Sequence, residues 1–243
     1  MLNVYLTSII EKSPITQDVN NDNFADWFFA KQRSVTFINP VNYVVLAEHP
    51  NLIKDMDHFF FDGILAKQWL GWLKRKQFCR LSFDFTSIAD QFFKYSQDHR
   101  KSIYILGGTR SELENFTNII KKKYPKLEII GRHHGFYIES QWPSVLMEIS
   151  ALNPDTVICG LGCPKQEKAA KEITSKLKKT SAITCGGFIH QTQFSVNYYP
   201  KWINQFGLRM PYRFFLEPHT RKRVKYYPIF LVKTFFEHIK GYE

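Results

Sequence analysis

The sequence predicts an α/β fold in which a mainly parallel sheet is covered by helices on both faces. From about residue 33 to 187, short apolar runs alternate with amphipathic segments of helical length. Glycines follow several of the apolar runs, as expected where strands end in tight turns. With 243 residues, of which 44% are hydrophobic, the chain can bury a sizeable core. Ligands of such sheets bind at the carboxyl ends of the strands, where the loops gather.

Six short apolar runs are predicted to form the strands. They have the length of buried strands, and turn residues bound most of them. The predicted strands are Ser34–Ile38, Arg80–Phe83, Ile103–Leu106, Leu127–Ile130, Thr156–Cys159 and Ala182–Cys185.

Three segments between these strands have apolar residues three and four positions apart, which is typical of amphipathic helices. Thr109 followed by Glu112 fits a capping box at the start of the first helix, and Asn153-Pro154 ends the second. The predicted helices are Arg110–Lys123, Gln141–Leu152 and Lys165–Lys178.

The segment Gly160-Leu161-Gly162-Cys163-Pro164-Lys165-Gln166-Glu167 is the most distinctive in the chain. It places two glycines after a predicted strand and a proline where a helix is expected to start. Free N–H groups and the helix dipole at such a start favour anions, phosphates above all. A strand, glycine loop and helix are common in α/β folds, whereas the full string is much rarer.

Three further loops end strands and carry glycine or polar residues. They are Gly107-Gly108-Thr109, Gly131-Arg132-His133-His134-Gly135, and Gly186-Gly187 with His190, Gln191 and Gln193 beyond it. Each by itself is also compatible with an ordinary tight turn. Together with the Gly160 loop they predict one cleft that holds a diphosphate without a metal. The paired histidines are disfavoured as a metal site because no Asp, Glu or Cys lies at ligand spacing.

Asp62-Gly63 is the candidate for acid–base chemistry. It follows the aromatic run Phe59-Phe60-Phe61 and precedes a helical pattern that begins at Ile64. Desolvation beside aromatic rings is expected to raise the pKa of Asp62, which suits a general base. The alternative is that Asp-Gly is simply a turn. Arg80 is a candidate anion ligand, although it is one of 33 basic residues and by default a surface charge.

The chain is predicted to divide into an α/β core at residues 1–195 and a helical appendage at residues 196–243. From Gly207 to Glu243 there are nine aromatic residues and eight Lys or Arg against three acids. Such a mixture serves phosphate, single-stranded nucleic acid or a membrane surface. The alternative is a basic helix that packs its aromatic side chains on the core.

Composition restricts the class of protein further. The formal net charge of +11 predicts an anionic partner, such as a nucleotide, nucleic acid or anionic lipid. The four cysteines include no C-x-x-C pair, which favours reduced, structural thiols in a cytosolic protein. The first residues do not resemble a signal peptide, and no segment has the ~20 consecutive apolar residues of a membrane span. We therefore expect a soluble or peripheral protein.

Taken in order, these motifs resemble the WecG/TagA/CpsF glycosyltransferases, glycosyltransferase family 26, from about Ser34 to Tyr227. The resemblance is carried by the following residues: Asn39-Pro40, Asp62-Gly63, Ile105 to Thr109, Tyr124-Pro125, Gly131 to Phe136, Asn153-Pro154-Asp155, Gly160 to Glu167, Pro200-Lys201-Trp202, Gly207-Leu208, Tyr212-Arg213 and Glu217-Pro218.

The resemblance implies a Rossmann-like core and an appendage that reaches the bilayer. It implies transfer of a sugar, with inversion and without a metal or other cofactor, from a UDP-sugar to a polyprenyl-diphosphate-linked glycan. The resemblance further implies that this reaction is part of exopolysaccharide or cell-envelope polysaccharide synthesis at the cytoplasmic membrane face. The implied partners are the UDP-sugar, the lipid-linked acceptor and an anionic membrane surface, with no nucleic acid. The resemblance does not fix the oligomeric state, and a homo-oligomer remains an alternative to a monomer.

The resemblance also implies residue roles. Asp62 matches the proposed general base, and Arg80 lies where the family has an active-site arginine. Asn39 and Gln166 match polar residues near the donor and complete the predicted catalytic set. The predicted donor-binding residues are Gly107, Gly108, Thr109, Gly135, Phe136, Gly160, Gly162, Lys165, Glu167 and Gly187. The predicted acceptor- and membrane-binding residues are Arg213, Arg221, Lys222, Arg223 and Lys225.

The chain departs from the family pattern at several positions. Many members of the family have Thr two residues before the asparagine, where this chain has Phe37. The Asp that usually follows the last core strand is absent here, and the corresponding region contains His190 and Gln191. Two further motifs differ: the family's usual Arg-Ala-Pro is here Tyr198-Tyr199-Pro200, and its Gly-Leu-Glu-Trp is here Gly207-Leu208-Arg209-Met210. The donor is therefore open among N-acetylmannosamine, glucose, galactose and glucuronic acid. A catalytically inactive member, a basic nucleic-acid-binding protein and a nicotinamide-dependent oxidoreductase remain alternatives.

Overall fold

The computed structural model describes residues 4–137, 139–194, 200, 203, 209–216 and 221–240. Its core is a six-stranded sheet with the order β2-β1-β6-β5-β3-β4, and every strand pair is parallel. The predicted α/β class is thus confirmed. The strands are β1 (Ser34–Ile38), β2 (His58–Phe61), β3 (Ile103–Gly107), β4 (Ile129–His133), β5 (Thr156–Gly160) and β6 (Ser181–Thr184).

Helices surround this sheet on both faces. Those of the described residues are α1 (Val4–Glu11), α2 (Phe24–Phe29), α3 (Pro40–Leu46), α4 (Pro50–Asp55), α5 (Ile64–Lys74), α6 (Ala89–Asp98), α7 (Arg110–Lys123), α8 (Trp142–Leu152), α9 (Lys165–Lys176), α10 (Phe188–Thr192), α11 (Arg209–Leu216) and α12 (Tyr226–Lys240), with a 3-10 turn at Glu139–Gln141.

One predicted strand is wrong and one real strand was missed. Of the segment Arg80–Phe83, only Arg80 pairs, in an isolated parallel bridge to Phe61. The chain turns directly afterwards because the Asp84 N–H donates to the Ser82 carbonyl at 2.9 Å. The strand beside β1 is instead formed by the aromatic run that ends at Phe61. The other predicted strands are confirmed, with β4 beginning two residues and ending three residues later than predicted.

The two predicted helix boundary signals are confirmed. Thr109 and Glu112 form a complete capping box at the start of α7. Asn153 ends α8 in the left-handed conformation, with φ of 45°. Asn and Gly are the residues that adopt this conformation most readily at helix ends. Both boundaries are local, which is why a single sequence suffices to place them.

The connections switch faces of the sheet at β5. The helix that follows β5, α9, packs on one face through Ile173. The helices after the neighbouring strands β3 and β6 pack on the opposite face, through Phe116 and Phe188 respectively. Where successive loops leave a parallel sheet toward opposite faces, a crevice opens at the carboxyl ends of the strands. The topology therefore predicts a binding cleft at the carboxyl ends of β3, β5 and β6.

Helix α12 packs closely on the core. Phe230 is 0% exposed, and its ring lies 5.2 Å from that of Tyr43 in an edge-to-face contact. Trp69 on α5 donates a 2.8 Å hydrogen bond to Thr234, and the Tyr43 hydroxyl donates to Glu237. The predicted domain boundary near residue 195 lies outside the described residues, and that division stays a prediction.

We expect Phe230→Ala to lower the free energy of unfolding by about 3–5 kcal/mol, because truncating a buried aromatic loses its burial and leaves a cavity. Urea denaturation followed by circular dichroism measures the change. Phe236→Ala on the same helix is the matched control, since Phe236 is 57% exposed. Equal destabilisation by the two variants would contradict the docking of α12 through Phe230.

Candidate active site

Glycines let the loops after β3, β4 and β5 pack directly against one another. A Cβ on Gly107 would lie 2.4 Å from the Gly160 carbonyl oxygen, and a Cβ on Gly160 would lie 2.7 Å from Cδ1 of Ile189, so neither position has space for a side chain. The Gly135 N–H donates to the Gly108 carbonyl at 2.8 Å, and a Cβ on Gly135 would lie 3.1 Å from the Gly107 Cα. These predicted donor-binding glycines thus meet at one place, as the proposed cleft requires.

A second set of glycines borders open space. Gly63, Gly162 and Gly186 have φ of +117°, +76° and +53°, and a Cβ on any of them would meet no atom within 4 Å. They lie after β2, β5 and β6, respectively. Because they flank space that no described atom fills, we take them to outline the mouth of the cleft.

Three of the predicted catalytic residues, Asn39, Asp62 and Arg80, lie near the carboxyl ends of β1 and β2. Ile38 pairs with Phe61, so the residues that follow, Asn39 and Asp62, are neighbours, and the Asp62 N–H donates to the Ile38 carbonyl at 2.8 Å. The Asn39 side chain accepts hydrogen bonds from Val41 N–H and Asn42 N–H, both at 3.0 Å, and so caps α3. The raised pKa expected for Asp62 stays a prediction.

Arg80 lies on the other side of β2, paired with Phe61. Its Nε is buried and makes no hydrogen bond within the part of the chain that the structure describes. A buried guanidinium N–H normally has an acceptor, since leaving a charged donor unpaired is costly. The role of Arg80 as an anion ligand stays a prediction, which the unpaired Nε supports.

The first turn of α9 differs from the sequence-based expectation. Pro164 precedes the helix rather than occupying its first position, and the Gln166 N–H donates to the Gly162 carbonyl at 3.0 Å. Gln166 and Glu167 point inward, with 2% and 0% exposure, while Lys165 is exposed. Of the polar side chains predicted on this turn, Lys165 is thus the one that faces solvent.

The paired histidines contact each other rather than forming a ligand cluster. The rings of His133 and His134 stack with centroids 4.6 Å apart, and Nδ1 of His133 lies 2.8 Å from the His134 carbonyl oxygen. Partial burial, together with the neighbouring His133 and Arg110, lowers the pKa of His134. Among described residues, no group of three His, Cys, Asp or Glu side chains has the arrangement of a metal site. Metal-independent chemistry stays a prediction.

A polar cluster that sequence reasoning missed joins α7 to α10. Glu112, which caps α7, accepts from His190 Nδ1 at 2.6 Å and from Gln193 Nε2 at 3.3 Å. Burial by itself would raise the pKa of Glu112, but hydrogen bonds from Thr109 and His190 outweigh it and lower the pKa. From the local sequence only the capping box at Glu112 could be predicted. The contact with His190 could not, because the two residues are 78 positions apart along the chain.

The basic segment that precedes α12, residues 221–225, approaches the loop between β5 and α9, residues 161–164 (the β5 loop). Arg223 lies close enough to Cys163 to oppose, through its positive charge, the rise in the thiol pKa that burial causes. Arg221 instead donates to the carbonyls of Phe214 and Phe215, at 3.1 and 3.3 Å, at the end of α11. The exposed residues among those predicted to form the site are Thr109, Phe136, Gly162, Lys165, Gly187, Arg221, Lys222, Arg223 and Lys225.

Part of the predicted site lies outside the described residues. This applies to the side chain of Arg213 and to the motifs Tyr198-Tyr199, Lys201-Trp202, Gly207-Leu208 and Glu217-Pro218.

A parallel sheet with glycine loops, a carboxylate and arginines at the carboxyl ends of its strands is the arrangement expected of an α/β protein that binds an anionic, diphosphate-like ligand. The model of the "Glycosyl transferase WecG/TagA/CpsF family" matches residues 10–243. The chain therefore belongs to this family and is a glycosyltransferase.

Two relatives show the range of activities in the family. The chain is 34% identical over 206 residues to a UDP-Gal:alpha-D-GlcNAc-diphosphoundecaprenol beta-1,4-galactosyltransferase of Shigella boydii, covering 84% of this chain and 86% of the relative. It is 24% identical over 213 residues to an N-acetylglucosaminyldiphosphoundecaprenol N-acetyl-beta-D-mannosaminyltransferase of Staphylococcus aureus (strain NCTC 8325 / PS 47), covering 85% and 82%.

Proposed function

We propose that this protein transfers a hexose from a UDP-sugar to a polyprenyl-diphosphate-linked N-acetylglucosamine during cell-envelope or exopolysaccharide assembly. The observation that carries the proposal is the pairing that sets Asn39 and Asp62 side by side, with Arg80 across β2, at the edge where the glycine loops meet. The greater identity to the galactosyltransferase than to the mannosaminyltransferase supports UDP-galactose as the donor.

The proposed reaction is an inverting displacement. Asp62 takes the proton of the acceptor hydroxyl as its oxygen attacks the anomeric carbon, and the bond from that carbon to the UDP oxygen breaks. Arg80, Arg223 and backbone N–H groups of the glycine loops offset the charge that develops on UDP, without a metal ion. Removing one such preorganised donor typically lowers the rate by about 10²–10³-fold.

We further propose that the protein works at the cytoplasmic face of the membrane, attached peripherally. No helix among residues the structure describes is long and apolar enough to cross a bilayer. Helices α5 and α12, which pack against each other, both expose large apolar side chains. The α5 residues begin directly after Asp62-Gly63, so the acceptor's lipid-linked sugar would meet the base close to this surface. The exposed residues are Ile64, Leu65, Trp72, Ile229, Val232, Phe235, Phe236 and Ile239.

Titration calorimetry of the protein with UDP in metal-free buffer tests the donor half of the proposal. We expect saturable binding of UDP and none of NAD at the same concentrations. UDP-galactose turnover on a polyprenyl-diphosphate-linked N-acetylglucosamine then tests the acceptor half. Absence of UDP binding, even with membranes and acceptor lipid present, would favour an inactive member of the family.

A further inference from the structure

Glu167 belongs to the candidate site, yet its carboxyl lies beneath the β5 loop and is 0% exposed. Oε1 accepts hydrogen bonds from Thr36 Oγ1 at 2.8 Å and from Gln166 Nε2 at 2.9 Å. Oε2 is buried and has no hydrogen bond of normal geometry to a described residue. Any effect of Glu167 on a ligand in the cleft therefore passes through the residues that it contacts.

The carboxyl is the centre of a buried hydrogen-bonded chain. Thr36 has a single hydroxyl proton, which it donates to Glu167, so the 2.9 Å contact between Thr36 and Thr184 is a donation by Thr184. This chain ties β1 and β6 to α9. Burial raises the pKa of Glu167 above its ordinary value, and the hydrogen bonds from Gln166 and Thr36 only partly oppose this rise.

The hydrogen bond to Glu167 also determines how the Gln166 amide is oriented. Because Nε2 donates to Glu167, Oε1 points the other way and accepts from the Gly186 N–H at 3.2 Å. Gly186 is one of the positive-φ glycines that border open space at the mouth of the cleft. Glu167 is thus connected to the β6 loop through one buried amide.

We propose that Glu167 is a positioning residue, which holds the Gln166 amide against Gly186 and thereby shapes the cleft for a nucleoside diphosphate. This inference rests on the proposed function. Without an acceptor at position 167, Nε2 of Gln166 would be buried unpaired, which costs more than the net gain of an ordinary hydrogen bond. The amide would then leave this orientation and release the Gly186 turn.

The test compares Glu167→Leu with Glu167→Gln by UDP calorimetry and by hydrogen exchange of the peptide that contains Gly186. Glu167→Leu removes the acceptor at similar volume, and we expect UDP affinity to fall about tenfold and Gly186 exchange to accelerate. Glu167→Gln keeps an acceptor oxygen and no charge, and we expect affinity within about threefold of the wild type.

Thr180→Val is the matched control for lost stability alone. Thr180 is 0% exposed and donates to the Pro154 carbonyl at 2.7 Å, at the amino ends of β5 and β6 and thus away from the cleft. We expect it to lower the melting temperature without changing UDP affinity. If Glu167→Leu does not fold, Glu167→Met takes its place, because it also removes the acceptor and its flexible side chain adapts to the site.

A folded Glu167→Leu or Glu167→Met protein with wild-type UDP affinity and unchanged Gly186 exchange would overturn the positioning role. If the wild-type protein itself fails to bind UDP, the proposed function falls, and with it the part of the inference that concerns a nucleoside diphosphate. The exchange data would then still show whether Glu167 holds the Gly186 turn.

Discussion

Replacing Asp62 by Asn is expected to lower glycosyl transfer by about 10²–10⁴-fold while UDP affinity stays close to that of the wild type. The amide has nearly the same shape as the carboxyl, but it cannot accept a proton from the acceptor hydroxyl. The position of Asp62, next to Asn39 and directly after the residue that pairs with Arg80, supports this role. Transfer rates with a UDP-sugar and a lipid-linked acceptor, together with calorimetry for UDP, measure the two effects separately.

Asp98→Asn is the matched control for Asp62→Asn. Asp98 is an exposed carboxylate at the end of α6, and α6 leads into the amino end of β3, away from the cleft. We expect this control to transfer at the wild-type rate. Near-normal turnover by Asp62→Asn would exclude Asp62 as the base, and a joint loss of turnover and UDP binding would point to donor binding instead.

A double substitution on α12, Val232→Glu with Phe236→Glu, is expected to abolish binding to anionic vesicles. Both side chains are more than half exposed, at 56% and 57%. Burying the exposed part of each side chain in a bilayer is worth roughly 0.8–1.7 kcal/mol, so losing both weakens binding by about 10- to 300-fold. The new carboxylates are also repelled by anionic lipid. Sedimentation with phosphatidylglycerol-containing vesicles measures the change.

The matched control makes the same chemical change on α8, where Met147 and Leu152 are exposed at 72% and 40%. We expect the double variant Met147→Glu with Leu152→Glu to sediment with vesicles like the wild type. UDP affinity in solution should be unchanged in both double variants, since neither alters the glycine loops. Equal vesicle binding by the α12 variant and the wild type would show that α12 is not the membrane-binding surface.

The sequence by itself determined the features that depend on neighbouring residues. Alternating apolar runs and amphipathic segments predicted the α/β class, and the Thr109 capping box and Asn153 marked helix boundaries that the structure confirms. Such signals are readable because they depend on backbone conformation and spacing within one or two turns. The strand at Phe59–Phe61 was missed for the same reason, since an apolar run of this length carries no periodicity that separates strand from helix.

Tertiary structure alone decided which of the polar residues share a surface. Asn39 and Asp62 became neighbours through the register of β1 and β2, and Arg223 approached Cys163 only through the path of the C-terminal segment. Gln166 and Glu167, which the sequence placed on the ligand side of α9, point into the core. Strand order, register and the face that a helix buries depend on contacts between distant segments, and local patterns in a single sequence do not encode those distances.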